Sequence, residues 1–206
     1  MRERPARDSI EWAIAARSRP GEATSGDLAV VERLAEGTLV AAIDGLGHGA
    51  AAAHASRRAA EAVREGPTQD LVRLVERCHA ALRGTRGAAI SLCFLSSAVS
   101  TMTWLGVGNV EGRVLSADQS APRPKGWLAL RGGVPGHELP SVRTATLEVK
   151  PGDVVLLATD GIEAAFGDWL DISGSIQAVA DRILAAHWKP LDDALVVAIR
   201  YLGARP

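Results

Sequence analysis

The 206-residue chain reads as an α+β protein in which two antiparallel sheets are flanked by helices. Two observations predict this. Short apolar runs bounded by Gly, Pro, Ser or Asn recur along the chain. The helical segments come as one pair and then singly, whereas a parallel α/β sheet needs a helix after nearly every strand. With 47% hydrophobic residues there is core material for one large domain over residues 1–206, and with 4% aromatics that core is packed from Val, Ile, Leu and Ala.

Ile10 to Ala16, interrupted by Glu11, predicts a strand running into a turn at Arg19 to Gly21. Leu28 to Leu34 and Thr38 to Ile43 are apolar runs separated by Ala35-Glu36-Gly37, as a hairpin requires. Residues 50 to 65 are Ala-rich, carry charges spaced for one exposed face, and stop at Gly66-Pro67, which predicts a helix. Thr68 to Leu82 predicts a second, with Leu71, Leu74, Val75, Cys78 and Leu82 on its apolar face. Strands are then expected at Ala88 to Leu95, Ser100 to Val107, Glu111 to Leu115, Gly126 to Leu130, Arg143 to Val149 and Asp153 to Ala158. A helix near Ile172 to His187 and a strand from Ala194 to Leu202 close the chain.

Charge excludes some functions. With 23 Lys plus Arg against 24 Asp plus Glu, the net charge of −1 supplies no positive field for nucleic acid or an anionic membrane. Met1 to Asp8 alternates charges without the apolar core of a signal peptide, and no run reaches membrane-spanning length, so a cytoplasmic location is expected. Cys78 and Cys93 lack the close spacing of a metal or redox pair and are expected as buried thiols.

The informative residues are aspartates at strand ends. Asp27 follows Ser25-Gly26 and opens the hairpin; Asp44 closes it in Asp44-Gly45-Leu46-Gly47-His48-Gly49. Antiparallel pairing brings these two to one end of a sheet. Asp160 follows the run Val154 to Ala158, and Asp192-Asp193 precedes the run Ala194 to Ile199. Any one Asp-Gly pair marks an ordinary turn more often than a site. Gathered without cations, however, such carboxylates would repel by roughly 1 to 4 kcal/mol per close pair. Divalent ions remove that penalty, and oxygen-only ligands select Mg²⁺ or Mn²⁺ over zinc. Two such ions sharing a water would lower its pKa and hold it in line with a phosphate, so phosphate-ester hydrolysis is the expected reaction.

In this order, Ser25-Gly26-Asp27, Asp44-Gly45-Leu46-Gly47-His48-Gly49, Gly106-Val107-Gly108-Asn109, Thr159-Asp160-Gly161 and Asp192-Asp193-Ala194 resemble the metal-dependent (PPM-type) protein serine/threonine phosphatases. The likeness is to the compact bacterial branch that includes the SpoIIE and RsbU phosphatases. The short chain and the segment Arg17 to Glu22 are similar to the stressosome phosphatases of the RsbX type. The resemblance implies an α/β/β/α sandwich, two Mn²⁺ or Mg²⁺ ions, and hydrolysis of phosphoserine or phosphothreonine on STAS-domain stressosome or anti-anti-sigma-type proteins in stress signalling. It implies that Asp44 bridges both metals and the Gly45 carbonyl binds one. It further implies that Asp160 and Asp192 bind the other, with Asp193 an alternative in that pair, and that Asp27 is a ligand or holds a metal-bound water. Leu46 stands where many relatives have a His used as general acid, so leaving-group protonation is expected from metal-bound water, and His48 is equally placed to cap or pack against the helix that follows. Arg17 and Arg19 precede the Asp27 loop, and Arg19 is the candidate phosphate-binding residue.

Two other readings compete. Gly45-x-Gly47-x-x-Ala50 superficially matches a dinucleotide fingerprint, but that motif needs a strand after its helix, and residues 50 to 82 read as helical. A non-catalytic phosphoprotein-binding module would have no need of a complete set of metal-binding aspartates.

Overall fold

A computed structural model describes residues 9–118, 124–167 and 170–204; Met1 to Asp8 lies outside them. Ten strands and three helices follow in the order β1 (Ile10–Arg17), β2 (Asp27–Leu34), β3 (Gly37–Gly45), α1 (Gly49–Glu65), α2 (Leu71–Ala81), β4 (Ala88–Ser96), β5 (Thr101–Val107), β6 (Glu111–Leu115), β7 (Gly126–Trp127), β8 (Ala145–Glu148), β9 (Val154–Ala158), α3 (Ile176–His187) and β10 (Ala194–Tyr201). They form two five-stranded sheets, ordered β1-β10-β9-β6-β7 and β2-β3-β4-β5-β8, and every strand pair is antiparallel. The α/β/β/α sandwich is the fold observed. β3 and β4 are antiparallel neighbours joined through α1 and α2, so the parallel βαβ unit of a dinucleotide site is missing at Gly45.

Alternation along each strand explains the layers. In β3, Leu39, Ala41 and Ile43 pack against α1 and α2, while Val40 and Ala42 face the other sheet. In β10, Leu195, Val197 and Ile199 face the other sheet, meeting Val40 and Ala42 in the core between the sheets, while Ala194, Val196 and Ala198 pack beneath α3. Central strands covered on both faces therefore read as continuous apolar runs despite antiparallel pairing. The same period of two sets the faces at the strand ends. Asp44 and Asp27 fall in phase with Val40, Ala42, Ala29 and Val31, so both lie on the face between the sheets.

Several boundaries differ from expectation for identifiable reasons. α2 starts at Leu71 because Asp70 caps it, its carboxylate accepting from Arg73 N at 3.1 Å, while Thr68 Oγ1 accepts from Asp70 N. α3 starts at Ile176 because Ser175 Oγ accepts from Ala178 N at 3.2 Å. β7 ends at Trp127 because the chain changes sheets. Leu128 N still donates to Gly112 O in the first sheet, whereas Arg131 N donates to Gly106 O in the second.

Both cysteines are free and buried, and burial pushes each thiol up to about 12. Among the described residues, no helix is long and apolar enough to cross a membrane.

Candidate metal and active site

In the β2–β3 register Asp27 is directly opposite Asp44. From the facing sheet, β9 runs out into Thr159-Asp160 and β10 begins just after Asp192-Asp193. Asp44, Asp160 and Asp192 line one pocket of about 240 Å³ together with Arg19, Leu46, Gly47, His48 and Asn109. Asp27 adjoins it and is tied to the opposite sheet, because Thr159 Oγ1 donates to its Oδ2 at 2.6 Å and itself accepts from Leu195 N at 2.9 Å.

The glycines at this site are set by close approach. Gly45 and Gly161 have ordinary backbone angles, but a Cβ on Gly45 would strike the Ala52 carbonyl of α1, and one on Gly161 would strike the Asp193 carbonyl. The sharp turns lie after it, at Gly47 and Gly49, with φ of 86° and 70°.

Electrostatics mark the site as unsatisfied by protein alone. Burial, then the charges of Asp27, Asp160, Asp192 and Asp193, push Asp44 up to about 9. Burial pushes Asp27 up to about 7, opposed by the Thr159 hydrogen bond and reinforced by Asp193, Asp160 and Asp192. Asp160 is raised by burial and by Asp192, with Lys189 and Asn109 acting against the shift. Among the described residues no three acidic, histidine or cysteine side chains converge closely enough to enclose an ion as they stand. Four of the carboxylates are instead held by neighbours: Asp27 by Thr159, Asp160 by Asn109 Nδ2 at 2.6 Å, Asp192 by the Asp193 amide, and Asp193 by the amides of Arg19 and Gly26. The donor set, all oxygen and mutually repelling, fits a hard divalent cation.

The remaining expected residues divide clearly. Asp193 is buried and accepts from Arg19 N and Gly26 N, both at 2.8 Å, so its two oxygens hold the 19–26 loop against the site. Arg19 lines the pocket; Arg17 lies over the Trp188 ring, 4.4 Å from its centroid. His48 lines the pocket at the N-cap position of α1, but its side chain does not cap; Nδ1 is 2.6 Å from Glu22 Oε1. Sequence reasoning assigned no chemistry to Asn109 or Thr159. Both stand at strand ends beside the aspartates, and their only signal was that position within the motifs Gly106-Val107-Gly108-Asn109 and Thr159-Asp160-Gly161.

Comparisons with known proteins agree with this geometry. Residues 35–203 match the family model described as Stage II sporulation protein E (SpoIIE). The chain belongs to the SpoIIE family. Its fold is that of the PP2C phosphatase domain of SpoIIE from Bacillus subtilis, which matches with a TM-score of 0.74 at 18% identity. A curated relative, phosphoserine phosphatase RsbX of Bacillus subtilis (strain 168), is 24% identical over 155 residues, 75% of this chain and 76% of RsbX. A solved structure described as the bacterial stressosome, a modular system adapted to control secondary messenger signalling, is 30% identical; the match covers 94% of this chain and all of that one, with a TM-score of 0.84. The crystal structure of RsbX in complex with magnesium matches with a TM-score of 0.81 at 21% identity, covering 93% of this chain and 95% of RsbX.

Proposed function

We propose that this SpoIIE-family phosphatase is Mn²⁺- or Mg²⁺-dependent and hydrolyses phosphoserine or phosphothreonine on STAS-domain proteins of a bacterial stressosome. The observation that carries this reading is the convergence of Asp27 and Asp44 from one sheet with Asp160 and Asp192 from the other at one pocket. Two cations are assigned to Asp44, the Gly45 carbonyl, Asp160 and Asp192, with Asp27 as a further ligand. Asp193 is left to the loop, since both its oxygens are engaged there. Bound there, divalent ions supply Lewis-acid polarisation of the phosphoryl group and a lowered pKa for water.

The chain's own residues set the rest. Asn109 fixes the orientation of Asp160, and Thr159 that of Asp27 across the two sheets. Arg19, its backbone anchored by Asp193, presents a guanidinium to the pocket and is assigned to the substrate phosphoryl group. The similarity to RsbX and to the stressosome structure supports the choice of substrate class. The full set of pocket aspartates favours catalysis over mere phosphoprotein binding.

The test is incubation with a phosphorylated STAS-domain protein and Mn²⁺, followed by mass spectrometry. Metal-dependent loss of phosphate, abolished by Asp44→Asn, is expected. Metal binding without turnover of either that substrate or p-nitrophenyl phosphate would refute the reading.

A further inference from the structure

Arg86, in the loop between α2 and β4, is exposed and stands at the lip of the pocket without lining it. Its Nη1 lies over Gly47, where a Cβ would come within 2.7 Å of it. The loop that presents it is fixed. Gly87 O accepts from Leu46 N at 3.0 Å, Ala88 N donates to Pro135 O at 3.2 Å, and Thr85 Oγ1 bonds both Leu82 O and Gly87 N. Arg58 pairs with Glu61, Arg64 with Glu32 and Arg200 with Glu11. The Arg86 side chain makes no hydrogen bond or ion pair among the described residues. Glu22, whose carboxylate lies against Gly49 in the same turn, is engaged by His48.

An unpaired guanidinium carried by a fixed loop beside a strongly acidic pocket is poor company for the protein's own charges and good company for an anionic group on the incoming chain. We propose that Arg86 is a docking residue that selects phosphoserine or phosphothreonine segments carrying an Asp or Glu beside the phosphorylated residue. The proposal rests on the phosphatase reading above and adds a sequence preference to it. The contact is solvent-facing, so its contribution is modest, salt-sensitive, and expressed in KM and in the rate of encounter. Arg19 takes the phosphoryl group inside the pocket; Arg86 takes a neighbouring carboxylate outside it.

The experiment compares p-nitrophenyl phosphate with phosphoserine peptides whose flanking residues are acidic or neutral, using wild type, Arg86→Ala, Arg86→Glu, Arg86→Lys and the remote control Arg57→Ala. Expected is a loss of about fivefold in kcat/KM for the acidic peptide in Arg86→Ala, carried by KM, and a larger loss in Arg86→Glu. Arg86→Lys keeps most of the preference. Turnover of p-nitrophenyl phosphate and of the neutral peptide stays within twofold, and raised salt erases the difference. An equal fall on all substrates, no change on any, or the same effect from Arg57→Ala overturns the proposal. Peptide affinities measured by fluorescence anisotropy form a second arm. Wild type that binds acidic peptides preferentially through Arg86 but hydrolyses nothing would sink the phosphatase reading alone.

Discussion

Asp44→Asn separates what the carboxylate costs the fold from what it does for the site. In the metal-free protein the folded pKa of Asp44 is raised to about 9, against 3.8 in the unfolded chain. Ionisation therefore favours the unfolded state. The stability of the carboxyl form is fully present below pH 3.8 and is lost as pH rises toward 9. At pH 7 the cost has an upper bound of about 4 kcal/mol, from 1.36 kcal/mol per unit over the interval above the unfolded value. Residual structure in the unfolded chain and an imperfectly bonded amide reduce the recoverable part to about 2 kcal/mol. For a chain of this size that corresponds to a rise of roughly 4 to 8 °C in Tm. Thermal unfolding followed by circular dichroism in EDTA should show Asp44→Asn above wild type at pH 7, with the gap closing by pH 4. Addition of Mn²⁺ at about 100 times its Kd should then raise wild type by about 2.7 kcal/mol and leave the variant unmoved. A metal-free variant that melts at or below wild type at pH 7, or a gain equal at pH 4 and pH 7, would refute the electrostatic account.

Asn109→Ala removes the 2.6 Å hydrogen bond to Asp160 and should weaken Mn²⁺ binding by about tenfold in calorimetric titration, at the low end for a supporting residue because the contact is exposed. Gly45→Ala drives a methyl into the Ala52 carbonyl and should cost about 3 kcal/mol in urea unfolding, with activity lost even where the protein remains folded. His48→Ala should leave kcat within about threefold and the pH–rate profile unchanged, since its ring is held by Glu22; loss of a limb of that profile would instead identify it as the general acid.

The opposition of Asp27 and Asp44 was legible because a hairpin with a short loop leaves few registers, and the observed pairing places them face to face. The two-sheet architecture was legible from strand and helix order. Contacts made by short polar side chains between distant segments were not. Thr159 reaches Asp27 across 132 positions and Asp193 reaches Arg19 across 174, and no local pattern encodes either meeting. Asp193 could not be told from Asp192 in the sequence because the two are adjacent, and only the approach of the 19–26 loop distinguishes them. The cause of glycine at position 45 was not legible: the strand is ordinary there, and the helix presses against it. The 128–131 crossing between sheets was likewise invisible, since a strand that leaves one sheet for another keeps its apolar pattern.

The pairing of β2 with β3 ends at Leu34, seven residues from Asp27 or about 23 Å along the strand, and turns at Ala35-Glu36. That remote two-residue turn acts as the gauge of the site. Inserting or deleting one residue there would shift one strand against its partner by a single step, and a single step rotates a side chain to the opposite face. Either Asp27 would point at α1 with Leu28 in its place, or the hairpin would rupture to keep its core. The length of a solvent-side loop at the far end of the sheet is therefore as much a condition of the chemistry as any carboxylate.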